Sequence, residues 1–226
     1  MHFLRSSLIV AGKDLRSELR TKESLNAAIS FAIVILVLFS FAVDPSAEQT
    51  REIAGGLLWL VFAFAGALIL NRSFARETAN DCLDVLVASP VSGAALFFGK
   101  ALANWSLLII VELVSLPVFG LLYNMNWARS PLLLAAVLVL ATWAVTVIGT
   151  VFSALTVNLR LRELMLPVLI YPMMIPALMA AMRLTTLLVG GEAVPAEDWI
   201  WFRLLIGFDI IFTSLALALV EVVLVG

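Results

Sequence analysis

One histidine, His2, and one cysteine, Cys82, are all that this chain has of either residue, and that scarcity excludes several chemistries at once. A lone histidine at the terminus supports neither a Ser-His triad nor a His-based haem or metal site. A single thiol forms no internal disulfide, which leaves redox chemistry without a basis. The lysines are Lys13, Lys22 and Lys100, all flanking the apolar runs, so an intramembrane Ser-Lys pair also lacks its base. Catalysis within the chain is not expected. Charged residues make up 13% of the sequence, against about 25% in an ordinary soluble domain. With a formal net charge of −2, nothing indicates a polyanionic partner such as nucleic acid.

What the chain does have is apolar length. Stretches of spanning length, about 17 to 25 residues, recur at Leu25 to Val43, Ile53 to Leu70, Ala101 to Tyr123, Pro131 to Val157, Leu164 to Val189 and Ile200 to Val220. The expected architecture is therefore all-α, with six transmembrane helices in residues 25–226 behind a separate N-terminal segment, 1–24. Connectors are too short for a soluble domain, apart from that segment and the stretch 71–100. A cleaved signal peptide is the rival reading of the N-terminus. It is disfavoured because 24 residues make a long charged flank and no A-x-A-like exit follows the apolar run.

The basic residues set an orientation, because loops rich in Lys and Arg resist translocation. Arg5, Lys13, Arg16, Arg20, Lys22, Arg72, Arg76, Lys100, Arg160 and Arg162 fall on one side, and only Arg51, Arg129, Arg183 and Arg203 on or near the other. Both termini are expected in the cytoplasm. The outer connectors are instead acidic, with Asp44, Glu48, Glu52, Glu192, Glu197 and Asp198.

Residues 1–24 place Leu4, Leu8, Ala11, Leu15 and Leu19 at helical spacing, with Arg5, Lys13, Arg16 and Arg20 off that stripe. Such a helix is expected to lie on membrane lipid, apolar face in and basic face toward anionic headgroups; the alternative is an ordinary basic flank. Gly55 and Gly56 open the second span, and Trp59 is expected at the interface. Gly149 and Ser153 form a small-x-x-x-small pair for close helix packing. In the fifth span Pro167, Pro172 and Pro176 fall within ten residues. Each removes a backbone donor, so this helix is expected to be kinked or partly unwound, with the bend facing protein or a cavity. It is either a gating element or a static kink. Gly190, Gly191 and Pro195 are expected to divide the segment from Leu184 to Trp199 into short re-entrant helices.

Four charges lie inside the apolar runs, of which Arg203, nearer the interface, can simply snorkel. Glu112 falls near the midplane, where an ionised group costs a few kcal/mol unless neutralised or paired; it is either functional or a structural polar residue bonded to Thr142 or Thr146. Arg183 and Asp209 are expected at depths that let them pair across antiparallel helices and fix their register.

The segment ARETANDCLDVLVASPVSGAALFFGK, Ala75 to Lys100, is the exception to the apolar pattern. From Glu77 to Ala88, Cys82, Leu83, Leu86 and Val87 form one helical face and Glu77, Asn80, Asp81 and Asp84 the other. The helix is expected to end before Ser89-Pro90, and Ser92 to cap the next one. A polar face this acidic is repelled by anionic lipid and suits a protein groove instead. GAALFFGK, Gly93 to Lys100, imitates a P-loop, but five residues separate the glycines, Ala101 stands where Ser or Thr is required, and the interior is apolar.

The order Arg76, Glu77, Leu83, Asp84, Leu86, Pro90, Ser92 resembles the coupling-helix loop between the second and third spans of ABC-2-type exporters. The whole chain resembles more narrowly the CcmB family of haem-exporter permease subunits. Further likenesses are Gly56 with Trp59, Arg72 with Phe74, Lys100 with Trp105, and the run LPVLIYPMMIP. It departs from the family at Asp81, where Gly is common, and at Asn71, where an acidic residue often precedes Arg72. The resemblance implies a permease half, paired with itself or a related subunit. It would work with a separate CcmA-like ATPase that holds the ATP, with CcmC-like and CcmD-like membrane proteins, and with the haem chaperone CcmE. It implies the bacterial inner membrane and haem as a handled substrate, with no tightly bound cofactor or metal in this subunit. Met173, Met174, Met179 and Met182 are soft-ligand candidates, though methionines in an apolar helix usually fill space. An ABC-2-type permease for a lipid, polysaccharide or drug, and a non-transporting scaffold, stay open as alternatives.

The coupling role expected of Arg76, Glu77, Asp81, Leu83, Asp84, Leu86 and Pro90 has a direct test. Replacing Leu83 and Leu86 by Asp should abolish co-purification of the ATPase and lower cytochrome c content; intact docking in that variant removes the coupling role.

Overall fold

The computed structural model describes residues 2–45, 47–73, 92–156 and 162–225. Among these residues there are helices and no strands. They are α1 (His2–Thr21), α2 (Glu23–Ala42), α3 (Glu48–Ser73), α4 (Gly93–Leu122), α5 (Pro131–Thr156), α6 (Arg162–Gly190), a single 3-10 turn (Ala196–Asp198) and α7 (Trp199–Val225). Six of them, α2 to α7, are long and apolar enough to cross a bilayer. The chain is a multi-pass, all-helical membrane protein. Its outer surface carries the same message, since Phe41, Leu121 and Leu132 are each about 85% exposed, a condition that suits lipid and not water.

Side-chain bonds sort the connections into two ends of the bundle. At one end Arg72, closing α3, pairs with Glu23, opening α2, at 3.0 Å. At the other, the Tyr123 hydroxyl, just past α4, donates to the Leu36 carbonyl near the end of α2 at 2.8 Å. The basic end holds α1, the end of α3 and the start of α4; the acidic end holds the end of α2, the start of α3 and the α6–α7 connection. A short corner joins α1 to α2. Lys22 turns with φ 54°, and the Glu18 carboxylate accepts from the Ser24 and Leu25 amides at 2.8 and 2.9 Å. These amides lie in the first turn of α2, where no intrahelical acceptor exists, so a side chain from the preceding helix does the capping.

In lipid the hydrophobic effect supplies no force between spans, and helices associate where small residues let backbones approach. α3 is the central strut, packed against α2, α4, α5 and α6. Its Gly55 sits where a Cβ would collide with the Met182 carbonyl and Thr186 Oγ1 on α6. One turn on, Trp59 is fully buried and its indole donates to Thr185 Oγ1 at 2.9 Å. The expectation of an interfacial Trp59 is corrected: a hydroxyl on α6 satisfies its polar edge inside the bundle. The small pair on α5 behaves as expected. Gly149 accommodates Leu70, and Ser153 Oγ donates to the Leu70 carbonyl at 2.7 Å.

The expectation of partial unwinding in the fifth span and that of re-entrant helices before the sixth are also corrected. α6 is helical without interruption through Pro167, Pro172 and Pro176, not unwound. Its buried stripe, Leu166, Ile170, Met174, Ala177, Ala181, Leu184 and Leu188, runs in steps of three or four and holds the helix against its neighbours. Pro172 and Pro176 lie on the exposed side of α6 rather than toward protein or a cavity in this chain. After Gly190 the chain makes one turn at Gly191, φ 79°, and one 3-10 turn, with no re-entrant helix.

Gly55 and Gly56 should therefore respond in opposite ways. Gly55→Val forces α3 away from α6 and should cost about 2 kcal/mol, whereas Gly56→Ala, with nothing within 4 Å of its Cβ, should be close to neutral. Thermal unfolding in detergent reads the difference; equal effects at the two positions would contradict the close contact at Gly55.

Candidate functional site

The segment singled out for coupling, Arg76 to Pro90, lies outside the described residues. What the structure describes is how its two ends are held. On the far side Ser92 caps α4 as expected, its hydroxyl accepting from the Ala95 amide at 3.3 Å. Two turns in, Gly99 faces α1 so closely that a Cβ would lie 2.6 Å from the Ser7 carbonyl and 2.7 Å from the Val10 Cβ.

That approach brings Lys100 under α1. The side chain is 1% exposed, and its ammonium donates to Asp14 Oδ2 at 3.2 Å and to the Ser73 carbonyl at 3.0 Å. One buried charge thus joins α1, the end of α3 and the start of α4. One turn deeper Asn104 donates to Ser73 Oγ and to Thr150 Oγ1 on α5, both at 3.0 Å. The α3 terminus is gripped from both sides. A buried cation costs several kcal/mol unless paired, so this contact is hard to open one partner at a time. The exposed Arg72–Glu23 pair beside it contributes little.

α1 itself buries Ser7, Val10, Ala11 and Glu18 against the bundle. It leaves Leu4, Leu8, Ile9 and Leu19 exposed together with Arg5, Lys13, Arg16 and Arg20. The helix therefore has a third, protein-facing side that the two-sided reading of its sequence lacked. Asp14, Ser73, Asn104 and Thr150 were not among the expected site residues. The available signal was the spacing: Asn104 lies one turn beyond Lys100, and Asp14 and Glu18 are acids one turn apart within an otherwise basic helix.

The intramembrane charges sit elsewhere. Glu112 is fully buried and accepts a hydrogen bond from the Thr142 hydroxyl, tying α4 to α5. Of the two partners expected, Thr146 turns back to the carbonyls of Thr142 and Trp143. Arg183 does not meet Asp209. It forks onto Asp198, with Nε and Nη2 each 3.1 Å from a carboxylate oxygen, and Trp201 donates to the same group at 3.1 Å. Asp209 lies eleven residues beyond Asp198, about 16 Å farther along a helix and out of reach. Its Oδ1 is buried without a partner. The four methionines of α6 are spread around it: Met174 is in the core while Met173 and Met179 are exposed.

Six spans, four of them packed against the central α3, with a buried ionic clasp that joins the end of α3, the start of α4 and α1, define a multi-pass membrane protein. Residues 5–222 match the CcmB protein family, and the chain belongs to it. Similar curated proteins include "Heme exporter protein B" of Rhodobacter capsulatus, 34% identical over 182 residues, 80% of this chain and 79% of the relative. The protein of that name from Paracoccus denitrificans is 33% identical over the same shares. The one from Pseudomonas aeruginosa is 30% identical over 200 residues, 88% of each chain.

The clasp predicts an asymmetry. Asp14→Ala removes a counter-charge from a lysine that has no access to water and should cost about 3 kcal/mol. Lys100→Met should cost less, because Asp14, with its side chain 22% exposed, can take up water. Chemical unfolding in detergent orders the two; a greater loss for Lys100→Met would contradict the burial of the charge.

Proposed function

We propose that the chain is the membrane permease subunit of a haem exporter acting in cytochrome c biogenesis, coupled to a separate ATPase. The observation that carries this reading is the family match across 5–222, joined to relatives named as haem exporters over about four fifths of their length. The subunit sits in the bacterial inner membrane with α1, the 74–91 connection and the C-terminus in the cytoplasm, as the basic-residue bias favours. α1 rests on the anionic leaflet through Leu4, Leu8 and Leu19, with Arg16 and Arg20 toward the headgroups.

ATP is hydrolysed on the partner subunit, and force enters between Arg76 and Pro90. Lys100 binds both the last carbonyl of α3 and Asp14 of α1, so displacement of the connection moves α1, α3 and α4 as one body. Haem is handled as substrate, either crossing at this subunit or released with the chaperone CcmE, in a complex with CcmC-like and CcmD-like proteins and a second permease copy.

A strain lacking the chain should lose mature cytochromes c, and expression of the chain should restore them only when the partner ATPase is catalytically intact. Unchanged cytochrome c content on deletion would point instead to export of another substrate, and rescue beside an inactive ATPase to a scaffold.

A further inference from the structure

Between α3 and α6, at the acidic end, the bundle surface opens into two adjoining recesses. One, about 490 Å³, is walled by Phe39, Ile53, Leu60 and Met182. The other, about 650 Å³, is walled by Glu48, Arg51, Glu192 and Gly190. Glu52, Arg183 and Thr186 line both, so they form one groove with an apolar half and a charged half. The order along α3 matches a bilayer. Glu48, Arg51 and Glu52 lie in its first turns; Ile53 follows directly, and Gly56 and Leu60 lie about 6 and 12 Å beyond Glu52 along the helix. Gly56 keeps the apolar half open, since a Cβ there meets nothing within 4 Å.

The charges decide what the groove can hold. Arg183 spends Nε and Nη2 on Asp198, leaving Arg51 as the uncommitted cation of the groove among the described residues. Against it stand Glu48, Glu52 and Glu192, none of which forms an ion pair among the described residues. A doubly anionic amphiphile, such as a porphyrin with two propionates, meets a net negative mouth. A head with one phosphate and one ammonium meets complementary partners, Arg51 for the phosphate and the glutamates for the ammonium, which has three protons to donate. A trimethylated ammonium has none.

We propose that this groove is a binding site for a phospholipid with a phosphoethanolamine head, its acyl chains between α3 and α6 and its head among Arg51, Glu52 and Glu192. The site is independent of the exporter reading and stands or falls by lipid binding alone.

Thermal unfolding of the full-length protein in detergent tests it, with phosphatidylethanolamine, phosphatidylglycerol, phosphatidylcholine of matched chains, or haem added. Phosphatidylethanolamine should raise the Tm by about 5 °C at saturation, and the other three should fall short. Gly56→Leu, which fills open space, should abolish that shift while leaving the lipid-free Tm unchanged. Leu60→Trp, at a 42% exposed wall position, should block the same recess if Gly56→Leu folds poorly. Glu52→Gln with Glu192→Gln should erase the preference over phosphatidylglycerol. An equal shift with phosphatidylglycerol or haem, or a shift that survives both blocking variants, overturns the proposal. So does loss of a dimer in Gly56→Leu without any lipid effect, which assigns the groove to a second copy.

Discussion

A lysine ammonium shut away from water at the basic end of the bundle is the constraint around which this fold is arranged. Lys100 has a carboxylate on one side and a backbone carbonyl on the other, and three helices must keep their relative positions for both to stay in place. Leaving such a charge uncompensated costs more than most single contacts in a protein. The neighbouring features serve it: Gly99 lets α1 come close enough for Asp14 to arrive, and Asn104 fixes Ser73 from the opposite side.

The rest of the bundle is held by different means. Where lipid surrounds the helices, shape and hydroxyl bonds replace the hydrophobic effect as the source of order. Trp59 with Thr185, Glu112 with Thr142 and Trp143 with Thr213 each bridge two spans, and Trp105 reaches the Val139 carbonyl at 3.2 Å. Most of these bonds lie on α4, α5 and the central α3. α2 buries only a narrow stripe, Ser24, Leu25, Ala28, Ala32 and Leu36, so it is the span least committed to its own chain.

The spans themselves are readable because apolar length is a one-dimensional property. The span boundaries expected from hydropathy fall within each observed helix or one residue beyond it, and Ser92 can be named because a cap follows from local spacing. Expectations fail where the answer depends on which face of a helix meets which neighbour. Trp59 near a span end reads as interfacial until α6 supplies Thr185. Arg183 reads as a partner for Asp209 until the turn at Gly191 brings Asp198 back over it. Asp14 and Lys100 are 86 positions apart, and no periodicity within either helix announces that they meet. The prolines of α6 show the reverse case. They do not break the helix, whose opposite face is packed against its neighbours.

The corner at Lys22 bears on how the chain is made. Glu18 accepts from amides six and seven residues farther along, so the bend between α1 and α2 is closed by bonds that are local in the chain. The turn that joins the leading flank to the first span can therefore close as soon as residue 25 has been made, before α4 exists to receive α1.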